Sequence, residues 1–187
     1  MVKRIFTKDE YAEIAPAYER GGVQYFFLRV NPQEQEDGTI VAIEDVFDHE
    51  PTDADKTALY NSWLAMEKRV KTHEIEQYDL SDNVNVFELN GMLAWLDKAT
   101  RVGLQNSLRV EETAGHETTT LYLNGVALVL SPDAALQMLD ELELYAIECY
   151  RVTEQHKAAV NESENIEYVN GFDVTTDYPQ HPVFNVQ

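Results

Sequence analysis

The chain has one cysteine, Cys149, in 187 residues. A single thiol cannot close an internal disulfide, so no disulfide framework holds this fold. It also lacks any apolar run long enough to cross a bilayer as a helix. Lys3 and Arg4 near the N-terminus are followed by no apolar stretch, so a secretory signal is not expected. Together these features favour a cytoplasmic protein. Basic residues are scarce, 14 against 34 acidic ones, for a formal net charge of -20. Such a surface repels nucleic-acid phosphates and anionic lipid headgroups, which argues against direct binding to either. Catalytic signatures are missing as well. Neither Ser107 nor Ser131 has a G-x-S-x-G context, and there is no glycine-rich phosphate loop and no dinucleotide fingerprint. His49, His73, His116, His156 and His181 lie far apart, with no H-x-H or H-E-x-x-H spacing. No internal repeat, heptad run or low-complexity segment interrupts the chain.

What the sequence does hold is the material of a packed core. Apolar residues make up 44% and aromatic residues 10%, too much for a disordered chain. Thr7 with Glu10 forms a capping pattern and predicts a short helix from Lys8 toward Ile14, stopped by Pro16. Residues 23–30 and 39–47, rich in aromatic and β-branched side chains, predict two strands of a hairpin across a long polar loop. Thr52 and Asp55 cap a second helix, expected over 53–71, with Leu59, Trp63, Met66 and Val70 at helical spacing and Lys68, Arg69 and Lys71 at its end. Residues 73–80 and 83–89 are expected as short strands joined by a turn at Ser81, Asp82 and Asn83.

The most consistent stretch runs over 95–160. Asp97 caps a helix through Leu104 and Leu108 to about Glu111, with Gly115 as its stop. Asn124-Gly125 between two apolar runs is a strong hairpin signal. Ser131-Pro132 opens a long helix to about Val160. Met138, Leu142, Tyr145, Cys149 and Val152 make its apolar stripe, widened by Leu136, Leu139, Ala146 and Tyr150. In the tail, residues 166–169 predict a strand and 177–187 an extended or partner-bound segment. The expected class is α+β: small antiparallel hairpins packed with two or three helices, one of them long and C-terminal. The expected division is 1–80, a strand hairpin plus helix, and 81–187, a helical and hairpin domain with an extended tail.

Cys149 falls on the apolar face of the long helix beside Glu148, a setting for a structural thiol rather than a nucleophile. Asp45, Asp48, Glu50, Asp53 and Asp55 offer hard oxygen ligands but lack the glycine and terminal glutamate of a calcium loop, and the start of a helix accounts for them. Arg101 lies in a mostly apolar helix and shares a face with Leu104 and Leu108. It is expected to be buried against the long helix and bonded to Glu143 or Glu148, so that Arg101→Ala strands a carboxylate.

Trp95, Arg101, Leu104, the 118–121 strand, Leu142, Glu143, Tyr145, Ala146, Cys149, Thr153, His156 and Lys157 carry a resemblance. Over about 90–169 the chain resembles a family of phage and prophage proteins from tail-fibre and baseplate regions, classed as a domain of unknown function. The resemblance implies a non-enzymatic structural or assembly protein whose partner is a tail component or a second copy. It implies no catalytic residue, cofactor or metal, and a location in the bacterial cytoplasm or the virion. Trp95, Arg101, Glu143, Tyr145 and His156 are the expected structural or interaction residues. Two other readings remain open: an acidic decoy for a basic nucleic-acid-binding protein of the host, and a hydrolase or metalloenzyme whose site assembles only in the fold.

Overall fold

The computed structural model describes residues 1–186. The chain is α+β, 43% helical and 27% strand, with its strands mostly antiparallel. It divides into two compact units, one of Met1–Val70 with Glu164–Asn170, the other of Lys71–Ser163 with 171–186.

The first unit is built on a four-stranded antiparallel sheet. Its strands are β1 (Val2–Phe6), β2 (Ile14–Arg20), β3 (Val23–Glu34) and β4 (Ile40–Phe47), in the order β1-β4-β3-β2. Gly21 and Gly22, both at positive φ, turn β2 into β3. The helix expected from Lys8 toward Ile14 does not form: residues 8–10 are a turn, and 14–20 make a strand that was not expected. The Thr7 and Glu10 pair does interact, with the Thr7 hydroxyl donating to Glu10 at 2.8 Å, but it closes only one turn. Ile14 then pairs with Leu28, and Pro16 is tolerated because β2 is an edge strand.

Leu28, Val30, Ala42 and Ile43 are buried on the sheet. Among them sits a buried ion pair. Arg29 on β3 donates through Nε to Glu44, its register partner on β4, at 2.9 Å. Its NH1 donates to the Ala12 carbonyl, and its guanidinium lies 4.3 Å from the Phe6 ring centroid. Arg4 approaches the other Glu44 oxygen at 3.0 Å.

Helix α1 (Asp53–Asp79) begins at the expected Thr52 and Asp55 box. Leu59 and Trp63 are buried, whereas Met66 and Val70 are exposed. The helix continues through 73–79, where a strand was expected. The sequence there, with two Glu and one Gln, holds no glycine or proline to stop it, and fully buried Ile75 anchors the extra turns. Lys68, Arg69 and Lys71 therefore lie inside the helix, and its last turn holds no basic residue. Residues Ile166–Gly171 form helix α4 instead of a strand. The Asn165 side chain accepts from the backbone N–H groups of Glu167 and Tyr168, an N-cap that outweighs the β-branched residues.

In the second unit, Asn90-Gly91, both at positive φ, joins β5 (Phe87–Leu89) to β6 (Met92–Ala94). The tail adds β9 (Val183–Phe184) parallel to β5. The strand expected over 83–89 is confined to 87–89, because Val84 and Asn85 are held in turns by Ser81. Asp97 caps α2 (Lys98–Thr113), accepting from Thr100 N at 2.9 Å, and Gly115 follows at φ 77°. Asn124-Gly125 closes the hairpin of β7 (Thr119–Leu123) and β8 (Val126–Leu130). Ser131 caps α3 (Pro132–Glu162), accepting from Ala134 N. The core joins Leu121 and Leu128 of the hairpin, Leu108 of α2, Phe87 of β5, and Leu139 and Leu142 of α3. Glu44→Gln is expected to leave the buried Arg29 guanidinium without its counter-charge and to lower stability by about 3–5 kcal/mol. Urea unfolding that shows a loss under about 1 kcal/mol would mean water reaches the pair.

Candidate functional site

Arg101 enters the second unit on the first turn of α2 and is only 3% exposed. Its Nε and NH2 approach one Glu143 carboxylate oxygen at 3.0 and 2.9 Å. Its NH1 donates to the Leu96 carbonyl at 2.6 Å, and its guanidinium lies 5.2 Å from the Trp95 ring centroid. Trp95 meets Tyr145 edge-on, and the Tyr145 hydroxyl donates to the Val84 carbonyl at 2.7 Å. Four of the five residues singled out from sequence, Trp95, Arg101, Glu143 and Tyr145, thus form one cluster. Burial pushes the Tyr145 hydroxyl far above its ordinary range. Cys149 packs with Tyr145 and Val84, and burial raises its thiol as well, so it is poorly suited to act as a thiolate.

One expectation about this cluster needs correction. Glu143 is not stranded when Arg101 is removed, because its side chain is 41% exposed and can hydrate. The buried member is the guanidinium.

His156, the fifth residue, lies further along α3. Its ring is edge-on to Phe172 and Tyr178, at 5.1 and 5.6 Å between centroids. The Tyr178 hydroxyl is 2.8 Å from Thr153 Oγ1, which donates to Asp79 at 2.7 Å. Neither ring nitrogen of His156 has a hydrogen-bond partner among the described residues. Burial lowers its affinity for a proton, an effect opposed by Asp177 and Asp173. No group of three or more His, Cys, Asp or Glu fit for a metal occurs among the described residues. The acidic run is engaged locally: Asp45 accepts from the N-terminal ammonium at 2.9 Å, and His49 bridges Asp48 and Asp55. Hydrogen bonds from the Thr52 side chain and backbone hold Asp55 down to about 2.

Beside the Arg101 cluster, α2 and α3 form a cleft of about 450 Å³ lined by Lys98, Arg101, Glu143, Ala146, Ile147, Tyr150 and Arg151. Tyr150 does not widen the buried stripe of α3 as expected. It is 61% exposed and lines this cleft.

A second surface lies on the β7–β8 hairpin. Its inner side chains Leu121, Leu123, Leu128 and Leu130 are buried, while Tyr122 (74% exposed) and Val129 (56%) face outward. Among the described residues neither strand has a second strand neighbour, so both edges are open. The Asn124 amide donates to the Leu93 carbonyl, bringing another exposed apolar residue to the turn.

Compared with protein-family models, curated proteins and solved structures, the chain finds no match.

Glu143→Ala is expected to cost about 3 kcal/mol, and Arg101→Ala less, because the first strands a buried charge and the second frees a half-exposed one. Equal losses in chemical denaturation would place both groups in the same dielectric. For His156 the folded state binds a proton less readily than the unfolded chain. Its contribution is therefore complete above the ordinary imidazole value of 6.5 and is lost as pH falls from there toward the lowered folded value. Relative to His156→Phe, the parent should lose stability between about pH 7 and 5, read as the difference between two urea midpoints. A difference that does not change with pH would show that the buried ring is not the titrating group.

Proposed function

We propose that this chain is a non-enzymatic assembly protein of a phage or prophage tail region, and that it associates with a second copy of itself through the β7–β8 hairpin. The observation that carries the self-association is the absence of charge from the hairpin. Residues 118–132 hold no Asp, Glu, Lys, Arg or His, in a chain that is 26% charged overall. Two copies of net charge -20 repel one another, so close approach is least opposed where neither carries charge. Open strand edges and outward Tyr122 and Val129 supply what such a contact uses, backbone hydrogen bonds and apolar area. Joining two hairpins edge to edge about a two-fold axis makes a four-stranded sheet with a self-complementary interface. The resemblance of residues 90–169 to tail-region proteins supports the phage assignment.

The test is oligomeric state. Light scattering after size exclusion should give twice the 21.4 kDa chain mass. Val129→Lys with Tyr122→Glu should return the protein to a monomer without changing its unfolding midpoint, because both side chains point to solvent. A parent that remains monomeric across a roughly hundredfold range of concentration rules this assembly mode out.

A further inference from the structure

The cleft between α2 and α3 concentrates the charge that the rest of the chain lacks. Three of its 14 basic residues, Lys98, Arg101 and Arg151, line it against one carboxylate, Glu143. Arg101 is committed to Glu143 and the Leu96 carbonyl. Lys98 and Arg151 are not committed: both are exposed, and neither has an ion pair or hydrogen bond with a described residue. Acids are abundant enough here that Lys71 and Lys157 in the same unit each find one. Arg109 of the same unit also reaches no carboxylate among the described residues, but Lys98 and Arg151 line one cleft together. Between them the wall is apolar, formed by Ala146, Ile147 and the exposed ring of Tyr150.

We propose that this cleft binds a small organic anion, a carboxylate or phosphate headgroup carried on an aromatic or branched aliphatic body. The headgroup meets Arg151, whose planar fork can hold two of its oxygens, and Lys98, which adds a point charge. The body lies against Tyr150 and Ile147, where ring stacking and buried apolar area hold it. The volume, about 450 Å³, is that of a small-molecule site. An adjoining cavity shares Lys98, Arg101, Ala146 and Tyr150 and is bounded by Asp79 and Asp97. Those carboxylates already accept from Thr153 and Thr100, and their charge directs the headgroup toward the Arg151 end. The chain's -20 charge adds selectivity by size. A polyanion meets the repulsion of the whole surface, whereas a small anion inside the cleft feels the nearby cations within a screening length.

Isotope-labelled full chain is titrated with phenyl phosphate, phenylacetate, inorganic phosphate and benzylamine, following amide chemical shifts. At least one aromatic anion should give saturable shifts confined to the turns around 98–101 and 143–151. Arg151→Glu and Lys98→Glu should each weaken that binding by about tenfold or more. Tyr150→Ala should weaken the aromatic anion while leaving inorganic phosphate unchanged. All three side chains are exposed, and an unchanged unfolding midpoint verifies that the variants fold. The proposal is overturned if neither aromatic anion gives saturable shifts there, if benzylamine binds as well as they do, if inorganic phosphate binds as tightly as phenyl phosphate, or if Arg151→Glu leaves the affinity unchanged.

Discussion

Each unit of this protein is organised around a guanidinium taken out of water. A cation in that position must be given acceptors from every side, so it dictates where neighbouring chain segments lie. In the first unit Arg29 takes Glu44 from the adjacent strand, the Ala12 carbonyl from the loop before β2, and the face of Phe6 on β1. One side chain on β3 thus ties together β1, β4 and the loop that leads into β2. In the second unit Arg101 does the same for the Leu96 carbonyl, Trp95 and Glu143, fixing the entry to α2 against α3.

The two pairs differ in what surrounds the carboxylate. Glu44 is buried and shared between Arg29 and Arg4, so both signs of charge are desolvated. Glu143 stays at the rim, where water still reaches it. Buried pairs seldom add net stability over apolar substitutes of the same volume, and their best-attested effect is on register and orientation. Arg29 and Glu44 fit that account, since they are opposite one another in the β3–β4 ladder and a slip of one residue would put them on opposite faces of the sheet. In the second unit orientation has a further consequence. The Arg101 pair ties α2 to α3 beside the cleft whose other cations, Lys98 and Arg151, have no side-chain partner among the described residues.

Much of the second unit was legible in the sequence because its signals are local. Asp97, Asn124-Gly125 and Ser131-Pro132 each specify a backbone conformation within four residues, and the apolar faces of the two helices predict Arg101 bonded to Glu143 or Glu148, of which the fold takes Glu143. The errors arose where local signals compete. Residues 73–79 set Ile75 and Tyr78 in a short polar run ahead of the turn at Ser81, which reads as a strand, but they continue a helix already nucleated at Thr52, and extending a helix costs far less than starting one. Ile166, Tyr168 and Val169 are β-branched or aromatic, yet one Asn165 cap and the burial of Ile166 and Val169 turn 166–169 into a helix. The Arg29 and Glu44 pair was missed, although a signal existed: Arg29 is a lone charge inside an apolar run, Glu44 follows the apolar run 40–43, and opposite charges on hairpin partners are best satisfied by each other. The cleft had no local signal at all. Lys98 and Arg151 look like ordinary surface residues until the helices cross.

Charge then divides the surface by what can approach it. With 34 acidic side chains spread along the chain, most of the exterior disfavours close contact with another acidic body, including a second copy. Two places escape this. The hairpin does so by having no charge over 118–132, which suits contacts made by backbone groups and apolar side chains. The cleft does so by an excess of cations over an apolar wall, which suits a ligand small enough to avoid the surrounding field. Both depend on the same global property. On a neutral protein an uncharged hairpin or a pair of unpaired cations would be unexceptional. Against a charge of -20 each becomes a local minimum in the cost of association. The composition that argues against nucleic acid and anionic lipid as partners is thus also what singles out these two surfaces.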